Sequence, residues 1–144
     1  LRKTRSLSGV PERYTFDSEA ILAFYLDEDG AEVVEGFLEK VQNGAAEGYI
    51  NIINLTEIYY ILSRISPELA EEKQKNLRLY GLEVVSVEDN GLWREAAHVK
   101  AKHSLSLTDA FAIATAEAFK SKLVVGNDKE FRELNNNRLL RIRE

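Results

Sequence analysis

The chain has no cysteine, no methionine, a single tryptophan and two prolines among its 144 residues. Without cysteine there is no disulfide framework, no thiolate metal site and no cysteine nucleophile. Two histidines, His98 and His103, are too few for a histidine-rich zinc site. A bound metal would therefore take mostly oxygen ligands, which favours Mg²⁺ or Mn²⁺. No apolar run approaches the roughly 20 residues of a membrane-spanning helix. The secretory pattern of basic start, apolar middle and small-residue cleavage site is also missing. The sequence is read as soluble and cytoplasmic, with no membrane partner.

What is present is an ordinary globular balance, 44% hydrophobic and 30% charged, at a length that suits one domain with a proper core. The net charge of −5 is unevenly placed. Residues 1–13 carry a net +3 and the remainder −8. An acidic body argues against holding nucleic acid by bulk electrostatics. It leaves room for an enzyme that works through metal ions and a local basic rim. Residues 1–13 are read as an N-terminal tail, or a remnant foreign to the domain, and residues 14–144 as the domain itself.

Periodicity and punctuation predict the elements. Tyr14–Phe16 reads as a strand, followed by a helix from Ser18 to about Leu26 and, after a turn over 27–30, a second helix from about Ala31 to Gln42. Tyr49–Ile53 reads as a strand, with a helix opening at Asn54 or Thr56. Pro67 opens a helix that runs to about Tyr80, where Gly81 stops it. Leu82–Val87 is a third strand. The next helix begins at Asp89 or Asn90, and its apolar stripe places Trp93 in the core. Thr108 is the expected cap of a helix whose residues 110–119 are apolar at eight of ten positions. A helix apolar nearly all round crosses the middle of a domain. Leu123–Val125 is a fourth strand, Asp128–Leu134 a short helix, and Arg138–Ile142 an edge strand. This alternation predicts an α/β three-layer sandwich with a mostly parallel central sheet of four to five strands.

Four acids stand at or just beyond predicted strand ends or helix starts: Asp17, Glu57, Asp109 and Asp128. Each by itself reads as well as a helix cap or a first-turn acid that complements the helix dipole. Together they would meet at one edge of a parallel sheet, where α/β folds hold their ligands. Like-charged carboxylates gathered at short range repel, so such a cluster calls for cations.

The pieces FDSEAILAFY with Asp17, INLTEIYYIL with Glu57, LSLTDAFAIATAEAF with Asp109 and LVVGNDKEF with Asp128 occur in this order. In that order and spacing the chain, from about Tyr14 onward, resembles the PIN-domain ribonucleases, and in size most the VapC-type toxins of VapBC toxin–antitoxin pairs. The resemblance implies that the four acids bind one or two Mg²⁺ or Mn²⁺ ions. It implies hydrolysis of single-stranded or structured RNA by a metal-activated water, a homodimer and a VapB-type antitoxin partner. Ser18 matches a family hydroxyl that supports the site, and Thr108 and Asn127 are counted with it as supporting residues. Gly126 departs from the family pattern, which has Thr or Ser there. A hydroxyl that would help place metal or water beside Asp128 is thereby lost.

Other candidates are weaker. Arg64, Arg94, Lys100 and Lys102 read first as solvated charges and second as a basic rim, and Tyr59 and Tyr60 read either way. The alternatives are a PIN-like RNA-processing nuclease that is not a toxin, or a non-catalytic module binding RNA or protein. Asp17-Ser18-Glu19 lacks the Asp-x-Asp of a haloacid-dehalogenase-type phosphatase, and the first strand lacks the acid pair of a response-regulator receiver.

Overall fold

Alternating side chains set the two faces of the sheet. The structure, a computed structural model, describes residues 11–126, 131 and 138–143. In β1 (Glu12–Phe16), Tyr14 and Phe16 turn to one side and Thr15 to the other, all three buried. β2 (Ala46–Asn51) sends Ile50 to the first side and Tyr49 and Asn51 to the second. Beyond β3 (Glu83–Val85), β4 (Lys122–Val125) splits in the same way, Val124 against Leu123 and Val125. With β5 (Leu139–Arg141) these strands form one sheet in the order β3-β2-β1-β4-β5, and every pairing is parallel. A parallel sheet needs cover on both faces, which is why its strands are rich in apolar residues.

The helices divide accordingly. α1 (Ser18–Tyr25), α2 (Ala31–Gln42), α3 (Ile52–Ser63) and α4 (Pro67–Tyr80) share one core with Tyr14, Phe16, Ile50 and Val124. α5 (Leu92–Lys102) and α6 (Leu107–Ala118) close the opposite face with Tyr49, Val85, Leu123 and Val125. The expected three-layer α/β sandwich is therefore the observed one, with five strands. α6 is buried from Ala110 to Ala116 and touches β1, β2, β4, α3 and α5, as its apolar sequence requires. Among the described residues no helix is long and apolar enough to cross a membrane.

Several boundaries differ from expectation. β1 begins at Glu12, because Arg13 pairs with Glu47 of β2 at 2.9 Å and donates to the Phe119 carbonyl at 3.3 Å. Three helix starts move toward the N-terminus. α1 is capped by Asp17 rather than Ser18, α3 by Asn51 rather than Asn54 or Thr56, and α6 by Ser106 rather than Thr108. At each start the sequence has several capping residue types close together, and the one in extended backbone geometry takes the role. Glu57 consequently stands in the second turn of α3, not the first. β3 is shorter than Leu82–Val87.

Trp93 is the clearest correction: it is 52% exposed, not core. A 3-10 turn, Asp89–Gly91, delays α5 to Leu92. The helix then turns Leu92, Ala96 and Val99 inward. Trp93 falls one step round, with the Arg94 guanidinium 4.9 Å from its ring centre. The expected helix at 128–134 lies, apart from Phe131, outside the described residues.

Candidate active site

The chain adds strands outward from β1 through β2 to β3, then crosses back to place β4 on the other side of β1. The crevice beyond the C-terminal ends of β1 and β4 is thus the point where the winding changes direction, the usual ligand position in such sheets. Asp17 directly follows β1 and Gly126 directly follows β4.

Asp17 is 1% exposed. Its backbone N–H continues the sheet by donating to the Val124 carbonyl at 3.0 Å. Its side chain receives the Ala20 N–H at 2.7 Å and, more weakly, the Gly126 N–H at 3.4 Å. Burial pushes the carboxyl up to about 7; the backbone donors of Ala20 and Gly126 oppose the rise, and the charges of Glu19 and Glu57 add to it. A carboxyl that resists ionising by itself, next to other acids, is suited to a cation.

Glu57 is half-buried in α3 and near enough to Asp17 to raise its pKa. Asp109 stands in the first turn of α6, where its N–H donates to Ser106 Oγ at 3.1 Å and the helix dipole favours its charge. Its Oδ2 is buried. A residue passed over in sequence as a mere helix start joins these segments. Asn54, fully buried, donates from Nδ2 to Ser18 Oγ at 3.0 Å and to the Thr108 carbonyl at 3.2 Å. Ser18 Oγ in turn donates to the Asn54 backbone carbonyl at 3.4 Å. Ser18 and Thr108, both expected as supporting residues, therefore meet through Asn54. The available signal was a polar residue one helical turn before Glu57 on an otherwise apolar stripe. Asn51 is a second buried junction. Its Nδ2 donates to Thr115 Oγ1 at 2.9 Å and its Oδ1 caps α3 at the Ile53 N–H.

The donors fit a hard divalent cation in kind, being carboxylate oxygens on three separate elements, one of them fully buried. As the side chains stand, no three acids or histidines among the described residues are grouped closely enough to hold one ion together. Mutual repulsion opposes such closure without a cation. Asp128 and Asn127 lie outside the described residues.

Gly126 has a role that the sequence did not disclose. A Cβ there would stand 2.7 Å from Glu19 Cβ, 2.9 Å from the Glu19 carbonyl carbon and 3.0 Å from the Ala20 nitrogen. The end of β4 thus lies directly against the first turn of α1, leaving no room for the hydroxyl that the family pattern supplies. Arg143, equally unforeseen, braces this contact. It donates from Nε to the Gly126 carbonyl at 2.9 Å and from Nη1 to the Asp29 carbonyl at 3.0 Å, with Glu19 and Glu28 at 3.7 and 3.8 Å.

Of the other candidates, Tyr60 is 47% exposed and carries the Arg64 guanidinium 5.2 Å above its ring. Tyr59 donates to Glu71 at 3.0 Å. Lys100 and Lys102 are exposed near the end of α5, and His98 lies 3.7 Å from Glu95.

Comparison with known proteins agrees with this fold. The PIN domain family model matches residues 14–137, and the chain belongs to that family. In fold it is similar to a toxin–antitoxin complex from Klebsiella pneumoniae, 16% identical over 91% of this chain and 98% of that one, with a TM-score of 0.69. It is likewise similar to VapBC2 from Rickettsia felis bound to a promoter DNA fragment, 20% identical over 90% and 98% of the two chains, TM-score 0.68. VapBC from Salmonella typhimurium, also bound to DNA, is 15% identical over 91% and 98%, TM-score 0.69. No curated protein matches the chain.

Proposed function

We propose that the chain is a divalent-metal-dependent endoribonuclease that hydrolyses single-stranded RNA and serves as the toxin of a toxin–antitoxin pair. The observation that carries it is the buried Asp17 carboxyl at the β1–β4 crevice, with the segments bearing Glu57 and Asp109 drawn to the same place. Membership of the PIN family, whose members are nucleases as a class, supports it. The toxin role and an antitoxin partner are supported by the toxin–antitoxin assemblies that share this fold; a homodimer is proposed on the family resemblance alone.

Asp17, Glu57 and Asp109 would hold Mg²⁺ or Mn²⁺, with Asp128 the fourth ligand. The ion would supply Lewis-acid stabilisation of charge on the phosphate and lower the pKa of a water. The protein's own work is positional. Asp17 is fixed by two backbone N–H groups, Asp109 by its place at the start of α6, and Glu57 by α3. Hydrolysis at phosphorus with loss of the 3′ oxygen leaves 5′-phosphate and 3′-hydroxyl ends.

Cleavage of a labelled single-stranded RNA is expected with Mn²⁺ or Mg²⁺ and not with EDTA. Asp109→Asn should lower it by at least about a hundredfold, in line with loss of a transition-state charge stabiliser. Activity that persists in EDTA, or unchanged in that variant, defeats the proposal. The toxin role has its own measure: induced expression should arrest growth, and the Asp109→Asn chain should not.

Tyr60 and Arg64 lie three and seven residues beyond Glu57, on its side of α3. An exposed ring with a stacked guanidinium is a suitable seat for an unpaired base. Tyr60→Ala, made in the Asp109→Asn background, should weaken binding of single-stranded RNA by about tenfold in fluorescence anisotropy, within the roughly 1–3 kcal/mol of a base stack. Unaltered binding removes this residue from the substrate path.

A further inference from the structure

Asn54 lies in the first turn of α3, on a face whose other buried members are Leu55, Ile58 and Leu62. The helix has no need of its amide, since Asn51 already caps the N-terminus. Asn54 is completely buried, and its Oδ1 has no hydrogen-bond partner among the described residues. A buried carbonyl left so is unfavourable, whereas a leucine, with the same branching at Cγ, would carry no unpaired oxygen there. Turning the amide over offers no relief, because its oxygen would then face the Thr108 carbonyl, acceptor against acceptor.

What the amide does accomplish is a junction. Nδ2 reaches Ser18 Oγ and the Thr108 carbonyl at once. Ser18 follows Asp17, Thr108 precedes Asp109, and Glu57 stands one helical turn further along α3. The three acid-bearing segments are therefore tied at a single nitrogen. Their carboxylates repel one another, and the easiest relaxation is for the segments to part. A neutral donor between them resists that movement without adding charge to the site.

We propose that Asn54 is a positioning residue that, through Ser18 and Thr108, sets the spacing of Asp17, Glu57 and Asp109 and hence the affinity of the site for a divalent cation. This rests on the metal-dependent function proposed above, and the experiment separates the two. Mn²⁺ binding is measured by calorimetry and by the Mn²⁺-induced rise in unfolding temperature, for wild type, Asn54→Leu and Asn54→Ser. Outer partners of metal ligands typically govern affinity by about 10–100-fold. A loss in that range is expected for Asn54→Leu, with part of it recovered in Asn54→Ser, whose hydroxyl restores one polar group. In EDTA, Asn54→Leu should unfold close to the wild-type temperature, the two lost donations being set against the removal of the unpaired oxygen, so that affinity and stability move apart. In RNA cleavage its requirement for Mn²⁺ should rise more than its rate at saturating Mn²⁺ falls.

Wild-type Mn²⁺ affinity in Asn54→Leu overturns the inference, and so does a loss of affinity that merely follows the unfolding temperature across the two variants. Should Asn54→Leu fail to fold, Asn54→Ser is judged against wild type by the same two criteria. A wild-type protein that binds no Mn²⁺ overturns the metal-dependent function itself, before any variant is compared.

Discussion

Asp17→Asn should abolish RNA cleavage and yet, in EDTA at pH 8, leave the fold at least as stable as wild type. The first effect follows from the loss of a proposed metal ligand, the second from the burial of the Asp17 carboxyl, which resists ionising, with its pKa near 7 instead of 3.8. A carboxyl whose folded pKa lies above its unfolded pKa binds more protons folded than unfolded. Its contribution to stability is most favourable below about pH 4 and declines as pH rises to about 7, then levels off. Three pKa units correspond to about 4 kcal/mol as an upper bound. Asparagine keeps the acceptor for the Ala20 N–H and carries no charge to bury. It sacrifices the weak contact with Gly126, which sets a small loss against the gain. Urea unfolding in EDTA at pH 5, 6, 7 and 8 should show wild type weakening across this window, with Asp17→Asn much flatter. Mn²⁺ should then stabilise wild type and not the variant. Parallel pH profiles for the two proteins would show that the burial of this charge is not what limits the metal-free fold.

Gly126→Thr, which restores the family's hydroxyl, should damage the protein rather than improve it. The threonine Cβ would arrive within 3.0 Å of Glu19 Cβ, the Glu19 carbonyl carbon and the Ala20 nitrogen. Two of those atoms are backbone in the first turn of α1 and cannot swing aside. Either the end of β4 or the start of α1 must move, and each carries part of the Asp17 environment. Overpacking of this kind costs about 1–3 kcal/mol. Gly126→Ala should show most of that loss, because the clash belongs to Cβ and not to the hydroxyl. Denaturant unfolding of both variants measures it, and RNA cleavage by whichever folds should fall with the displaced Asp17. A threonine variant as stable and more active than wild type would mean that the first turn of α1 yields easily.

These two positions also mark how far the sequence could be read. Asp17, Glu57 and Asp109 were legible as candidates because acids after strand ends and at helix starts leave a local signature. Gly126 was legible only as a missing hydroxyl. Its actual constraint is the approach of Glu19, more than a hundred residues earlier, which no local pattern records. Asn54 and Arg143 were hidden for the same reason, since their partners lie on other segments. Trp93 was misplaced because Leu92, Ala96 and Val99 offered a rival stripe one position round α5, and packing against the sheet selected that one. Asp128 stays a proposal on the strength of the family pattern.

The short apolar runs of the strands, the apolar length of α6, the proline and glycine at the ends of α4, and the absence of cysteine were determined by the sequence itself. From them came a parallel α/β sandwich with oxygen-rich chemistry. Each of those signals acts within a few residues, through side-chain direction or backbone preference, so it survives without the rest of the chain. The tertiary structure alone decided which polar residue caps each helix, that one asparagine amide joins three acid-bearing segments, and that β4 meets α1 with no space between. Those outcomes depend on distances between segments far apart in sequence, and such distances exist only once the sheet has ordered its strands.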